Sequence, residues 1–255
     1  LRSPHRFMIL LKSPQELAKM EVANRIVAEI LAEVQKLVRP GVETRELDEL
    51  AEEMCRSRQV EPAFKGYRGF PRSICVSVNE EIVHGIPGAR RIQAGDLVSL
   101  DFGVKYQGYY GDAALTVAVG EVDPRSRDLV ATTEQALYAG ISQAKVGRHL
   151  TDISHAVQAM VEGAGFGVIR EFVGHGIGRS LHEDPQIPNF GPPGRGPRLQ
   201  AGMTLAIEPM TSMGAWQVRI LQDGWTAVTQ DGSCSAHFEH TVAVTAQGPL
   251  ILSRL

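Results

Sequence analysis

The stretch DLVSLDFGVKYQGYYGDAALTVAV, residues 96–119, decides how this chain folds. Apolar and polar positions alternate along it on either side of a polar turn containing Gly108, the pattern of two antiparallel strands joined as a hairpin. A turn centred on Tyr106 and Gln107 pairs Asp101 with Asp112, so the two carboxylates face each other with Cβ atoms about 4.5–5.5 Å apart. Like charges at that spacing, in strands otherwise as apolar as a core, require a cation between them or a proton on one of them. The hairpin therefore points to a metal. The alternative is a bulge that shifts the register by one residue and turns one Asp to the other face.

Outward from the hairpin, helices come in pairs ahead of runs of strands. Ser13-Pro14-Gln15-Glu16 opens a helix as a capping box and Pro40-Gly41 closes it; a second helix is predicted from 44 to about 58. Asp123-Pro124 caps a third that runs to Lys145, and Thr151 starts a fourth that ends near Gly163. Helix, helix, strands, twice over, predicts an α+β fold of two similar halves. Short identities recur in the same order: HGI at 84–86 and 175–177, QAG at 93–95 and 200–202, TVAV at 116–119 and 241–244, with offsets of 91, 107 and 125 residues. The second offset carries Asp101 onto Glu208 in the apolar segment LAIEPM. The third carries Asp112 onto His237, with Glu239 two residues further on the same strand face. A pseudo-twofold arrangement of the halves brings these acids together at their interface, where ligand sites often lie.

Composition excludes several classes. The chain has 255 residues, 43 % apolar and 22 % charged, ordinary globular values that allow a substantial core. A formal charge of −3 and a pI near 6.3 leave no electrostatic footprint for specific nucleic-acid binding. No apolar run approaches the roughly 20 residues that span a bilayer, so no membrane is expected and the chain is expected in the cytoplasm. Cys55, Cys75 and Cys234 have neither an even count nor CxxC spacing, which argues against a disulfide framework or a zinc finger. Residues 1–12 are expected to be an N-terminal extension and 13–255 a single catalytic domain. The first residue, Leu1, is consistent with a start that has been trimmed or processed.

Four carboxylates and a histidine are a typical ligand inventory for two divalent ions about 3.5–4 Å apart. Oxygen-rich ligation with one imidazole suits Mn²⁺, Fe²⁺ or Co²⁺, with Zn²⁺ also compatible. His175 is the best histidine, placed in the Gly-rich GHGIGRSLHEDPQ after the apolar EFVG, which reads as a strand. His182 follows seven residues later, a spacing unlike the HExxH of a helical zinc site, and His84 and His182 are candidates for contact with substrate or its tetrahedral intermediate. Asp101-Phe102-Gly103 lacks the other motifs of a kinase, and residues 174–178 lack GxGxxG spacing. Residues 188–197, PNFGPPGRGP, read as a surface loop.

Five separated motifs, NEEIVHGIPG at 79–88, DFG with Asp112 following, GHGIGRSLHEDPQIPN at 174–189, LAIEPM at 205–210 and DGWTAVTQDGSCSAHFEHT at 223–241, together resemble the type I methionine aminopeptidases, the short bacterial form of the pita-bread metallopeptidases. The resemblance runs from the first helix nearly to the end. It implies a pita-bread fold, two pseudo-twofold-related halves with a central antiparallel sheet covered by helices. It implies that Asp101, Asp112, His175, Glu208 and Glu239 ligate two metals (Co, Mn, Fe or Zn), Asp112 and Glu239 bridging, with Glu208 as the base and His84 and His182 in contact with substrate. The implied reaction removes the initiator methionine from nascent polypeptides, near the ribosome; a monomer is expected because the sequence has no heptad seam or added domain.

For the methionine side chain the resemblance suggests a pocket of Tyr67, Phe70, Cys75, Leu181 and Trp225. Phe64, Phe70 and Leu181 stand where the family more commonly has Cys, Tyr and Phe, which bears on pocket shape. The rivals are a proline-specific peptidase of the same fold, expected to carry a further N-terminal domain, and a non-catalytic peptide-binding relative or a metal-free hydrolase, expected to have lost ligands.

Overall fold

The computed structural model describes residues 8–254, so residues 1–7 of the expected extension and Leu255 lie outside the described residues. Four helices form where the caps predict them: α1 (Pro14–Leu37), α2 (Thr44–Ser57), α3 (Pro124–Gln143) and α4 (Leu150–Gly163). The first begins on the expected box, in which Ser13 N–H donates to Glu16 Oε2 at 2.8 Å and Glu16 N–H to Ser13 Oγ at 3.4 Å. The third stops two residues before Lys145, and the fourth begins one residue before Thr151, with His149 at its N-cap.

The strands form a nine-stranded antiparallel sheet and two three-stranded ones. Across the large sheet run Glu61–Pro62, Leu97–Tyr106, Tyr109–Ala118, Glu239–Thr245, Thr204–Ile207, Gly174–Gly176 and Glu183–Ile187; Ile74–Val78 also pairs with Leu97–Tyr106 and Gly248–Ile251 with Glu239–Thr245. The two halves meet where Tyr109–Ala118 pairs with Glu239–Thr245.

The hairpin is present, but its register differs from the expected one. Gln107 and Gly108 carry the turn, both left-handed with φ of 46° and 81°, and Tyr106 pairs with Tyr109. A two-residue turn of this hand needs positive φ at both central positions, so the glycine must be one of them. Asp101 accordingly lies opposite Ala114 and Asp112 opposite Gly103. The shift is two residues rather than one, so both acids stay on the same face as diagonal neighbours, with Cβ atoms on the order of 7 Å apart instead of about 5 Å.

The duplication is visible in the hydrogen bonds. Gly95 N–H donates to Val119 C=O at 2.7 Å, and Gly202 N–H to Val244 C=O at 2.9 Å, so the QAG turn and the TVAV strand meet in the same way in each half. The HGI pair is not part of it. Ser99 and Ala206 are equivalent across the halves; Ser99 faces Ser77 and Ala206 faces His175, which makes Ser77 the counterpart of His175. His84 lies outside the strands, with φ of 61°.

Helix α1 buries Met20, Ala23, Val27, Ile30, Leu31 and Val34, the three- and four-residue spacing of one helical face, against the hairpin. Its backbone comes so close that a Cβ on Gly111 would sit 2.8 Å from Asn24 N, so only glycine fits beside Asp112. Asn24 Oδ1 and Thr241 Oγ1 both accept from Asp112 N–H at 3.3 Å, and Thr241 Oγ1 donates to Asp112 C=O at 2.8 Å. Helix and neighbouring strand thus hold the backbone from which this carboxylate projects.

The capping Glu16 does more than start a helix. Its Oε1 accepts from Tyr109 Oη at 2.8 Å and from Arg179 Nη2 at 2.8 Å, tying α1 to the hairpin and to the loop after His175. The Ser13 N–H, Arg179 and Tyr109 hold its pKa at about 2, below the ordinary 4.5. Glu16→Ala is expected to cost about 1 kcal/mol near neutral pH. Because the folded-state pKa is depressed, that contribution is present above about 4.5 and lost as pH falls towards about 2. Urea unfolding of both proteins at neutral and acidic pH should show the gap closing in acid.

Candidate metal-dependent active site

Each half of the sheet delivers acids to one point. Asp101 and Asp112 come from the hairpin, Glu208 from the residue after Thr204–Ile207, and Glu239 from the start of Glu239–Thr245. His240 pairs with Ile207, which sets Glu239 beside Glu208 in the second half. His175 lies on the short strand Gly174–Gly176, a correction to the reading of EFVG as the strand and of His175 as a loop residue. Glu171, Phe172 and Val173 are irregular, and the sheet begins at Gly174 because Gly174 and His175 pair with Ile187 and Gln186.

His175 Nδ1–H donates to Gly176 C=O at 2.9 Å, which fixes the tautomer and turns the Nε2 lone pair towards Glu208 Oε1, 3.4 Å away. One ligand atom each from Asp112, His175 and Glu239 lie within 4.8 Å of one another. A second such triad is Glu208, His237 and Glu239, so Glu239 is common to both.

The electrostatics of this cluster demand a counter-charge. Burial raises the pKa of Asp101 to about 7, and burial with the neighbouring carboxylates raises Asp112, Glu208 and Glu239 well above the ordinary range. Burial lowers His175 to about 4, so its imidazole is neutral and its lone pair free. Asp101 Oδ1, Asp112 Oδ1 and Glu239 Oε1 are buried with no hydrogen-bond partner. Buried acceptors without donors are rare in folded proteins, and an ion is one standard reason for them. Oxygen donors with a neutral imidazole are the chemistry of a divalent first-row cation, so the residues fit such a group.

Above the acids opens a cavity of about 300 Å³. All the sequence-predicted pocket residues line it: Tyr67, Phe70, Cys75, Leu181 and Trp225, together with His84, His182 and Phe64. Phe70 meets Trp225 edge-on with ring centres 5.2 Å apart. His84 is set edge-on against Phe172 and Trp225, at 5.5 and 6.1 Å. His182 stacks on Tyr67 at 5.3 Å, its Nδ1 is 2.9 Å from Tyr67 Oη, and its ring centre is 4.1 Å from that of His175.

The loop that carries Leu181 and His182 is braced from below. Glu183 Oε1 accepts from the backbone N–H of Arg179 and Ser180, at 2.7 and 3.2 Å, and its other oxygen pairs with Lys12 Nζ, both side chains being more than nine-tenths buried. Lys12 N–H in turn donates to Gly202 C=O at 2.7 Å, so the segment before α1 ties the histidine loop to the strand that leads to Glu208. Nothing in residue spacing indicates this brace, since its partners are 171 residues apart.

Sequence reasoning also missed Arg68, Phe172 and Met210 in the cavity wall, and it landed on His237 by offset without giving it a role. For His237 the signal was its two-residue spacing from Glu239, though the expectation of one shared strand is corrected: His237 ends Ser235–His237 in a three-stranded sheet and Glu239 begins Glu239–Thr245 in the nine-stranded one. Phe172 and Met210 belong to segments whose residue types read as ordinary core.

Residues 18–246 match the family described as Metallopeptidase family M24. The chain belongs to metallopeptidase family M24. A methionine aminopeptidase 1 of Bacillus subtilis is 52 % identical over 97 % of this chain and 100 % of its own length, and one of Mycobacterium tuberculosis is 45 % identical over 95 % and 94 %. The crystal structure of the methionine aminopeptidase of Thermotoga maritima superposes with a TM-score of 0.96 at 52 % identity, covering 97 % of this chain and 100 % of that one. A prolidase of Pyrococcus horikoshii shares the fold, with a TM-score of 0.79 at 22 % identity over 97 % of this chain and 64 % of that one. The M24 pita-bread fold is the two-halved arrangement described above, and M24 chemistry depends on divalent metal. Among the described residues no helix of this M24 chain is long and apolar enough to cross a membrane.

Proposed function

We propose that this chain is a methionine aminopeptidase that removes the first residue of new polypeptides, with Asp101, Asp112, His175, Glu208 and Glu239 holding two divalent cations. The observation that carries the reading is the meeting of four buried or nearly buried carboxylates, three of them with an unpartnered oxygen, and an imidazole at the floor of a cavity walled by aromatic and apolar side chains. When bound, such a cation pair lowers the pKa of water to near neutrality and polarises a carbonyl.

The chain's own residues supply the rest. Glu208, whose pKa is raised by burial, accepts the proton of the attacking water at its carboxylate and later passes it to the leaving nitrogen. Tyr67 Oη donates to His182 Nδ1, which leaves the proton on Nε2, free to donate to the substrate carbonyl oxygen. His84, held by Phe172 and Trp225, faces the scissile nitrogen. One of the cations these acids would hold would also take a free α-amino group but not a blocked one, which would make the reaction an exopeptidase cleavage. Tyr67, Phe70, Cys75, Leu181 and Trp225 take the methionine side chain, whose thioether gains about 0.3–1.5 kcal/mol per aromatic contact.

In this reading residues 13–255 work as one catalytic domain, and the enzyme acts as a cytoplasmic monomer close to the ribosome, with Mn, Fe, Co or Zn as its metal. The metal-loaded enzyme is expected to release Met from Met-Ala-Ser and to leave Ala-Pro peptides intact; faster turnover of Ala-Pro would overturn the assignment in favour of the proline-specific rival. His182→Ala is expected to lower kcat by about 10²–10³-fold with little change in KM, read from steady-state kinetics on the same peptide.

A further inference from the structure

His237 is one of the most deeply buried polar side chains in the protein, 1 % exposed, yet neither of its ring nitrogens has a hydrogen-bond partner. Its backbone is held hard. Thr116 Oγ1 accepts from His237 N–H and donates to His237 C=O, both at 2.9 Å, and the same hydroxyl is 2.8 Å from Ser99 Oγ. The ring is therefore aimed by two strands of the opposite half. What it is aimed at is the acid cluster: Nε2 lies 3.9 Å from Glu208 Oε2, and a ligand atom of Glu239 is within 4.8 Å of both.

We propose that His237 is a sixth metal ligand, completing with Glu208 and Glu239 the coordination of one cation of the pair. The inference rests on the reading that the acids hold divalent cations. A separation of 3.9 Å is too long for a hydrogen bond to Glu208. It is within reach for two donors on one ion, since bonds of about 2.1 Å keep such donors within about 4.2 Å of each other. A carboxylate oxygen of Glu239 completes the triad, and this side chain has an unpartnered Oε1. An imidazole adds a donor without adding charge, so the four carboxylates still balance two dications. With His175 it gives the cation pair two nitrogen donors, and nitrogen donors favour Fe²⁺, Co²⁺ and Zn²⁺ over Mn²⁺.

The direct test is NMR of the full chain with ¹⁵N-labelled histidine, loaded with two equivalents of ¹¹³Cd²⁺. Two imidazole nitrogens coupled to cadmium are expected, one of which disappears in His237→Gln while the other persists. Calorimetric titration of Co²⁺ into the metal-free protein should show one of two sites weakened by at least about tenfold in the same variant. A single coupled imidazole in the wild type, unchanged in His237→Gln, would overturn the proposal and leave the ring as a partner of Glu208 or of a buried water. A chain that takes up no cadmium at all would overturn the cation site itself, an outcome distinct from the loss of one ligand. The wild-type spectrum decides the matter even where the variant folds poorly.

Discussion

Glu208→Gln is expected to lower kcat by about 10²–10⁴-fold at saturating metal, the range by which general acid–base catalysis accelerates proton transfer. The amide keeps the shape of the side chain but cannot take a proton from water. The fold has little reason to suffer. The Glu208 backbone carbonyl, not its carboxylate, accepts from Asn189 Nδ2 at 2.9 Å, and removing one of four crowded buried charges relieves repulsion with Asp101 and Asp112. The metal-free variant should therefore melt no lower than the metal-free wild type. Kinetics on Met-Ala-Ser with calorimetry on both proteins checks this; near-normal turnover would remove Glu208 from the base role.

Chelation is expected to abolish activity, and Mn²⁺, Fe²⁺ or Co²⁺ to restore it. The same treatment should lower Tm by roughly 10–20 °C relative to protein with free metal at about 100 times Kd, since each of the two sites at that level contributes about 2.7 kcal/mol in a chain of this size. The cause is the unpartnered oxygens of Asp101, Asp112 and Glu239, which have no protein donor to turn to when the cations leave. Full activity in protein shown by elemental analysis to be free of metal would falsify the metal-dependent scheme.

The hairpin and its acids were legible because period-two alternation and a glycine turn are local properties. Its register was not: choosing between a turn at 106–107 and one at 107–108 depends on which pair takes left-handed φ, and the glycine at 108 decides it. The outcome still favoured the site, because a two-residue slip keeps Asp101 and Asp112 on one face where a one-residue slip would have separated them. Two of the three repeated segments marked true equivalences, since QAG and TVAV hydrogen-bond to each other in both halves. HGI did not, because three matching residues carry no information about strand pairing, and pairing sets Ser77 rather than His84 opposite His175's position. Similarly, apolar EFVG looked like a strand, yet the paired residues begin at its last glycine.

By itself, the sequence determined the helices, through caps and apolar spacing, and the inventory of acids and histidines, through motifs that resemble one family. Those are matters of residue type and of neighbours a few positions away. Only the tertiary structure decided which atoms meet: that Glu239 belongs to two triads, that Lys12 and Glu183 brace the histidine loop, and that His237 points unpartnered at Glu208. Such contacts are made by groups distant in the chain, and their geometry follows from sheet register and from the desolvation of charges that no local pattern records.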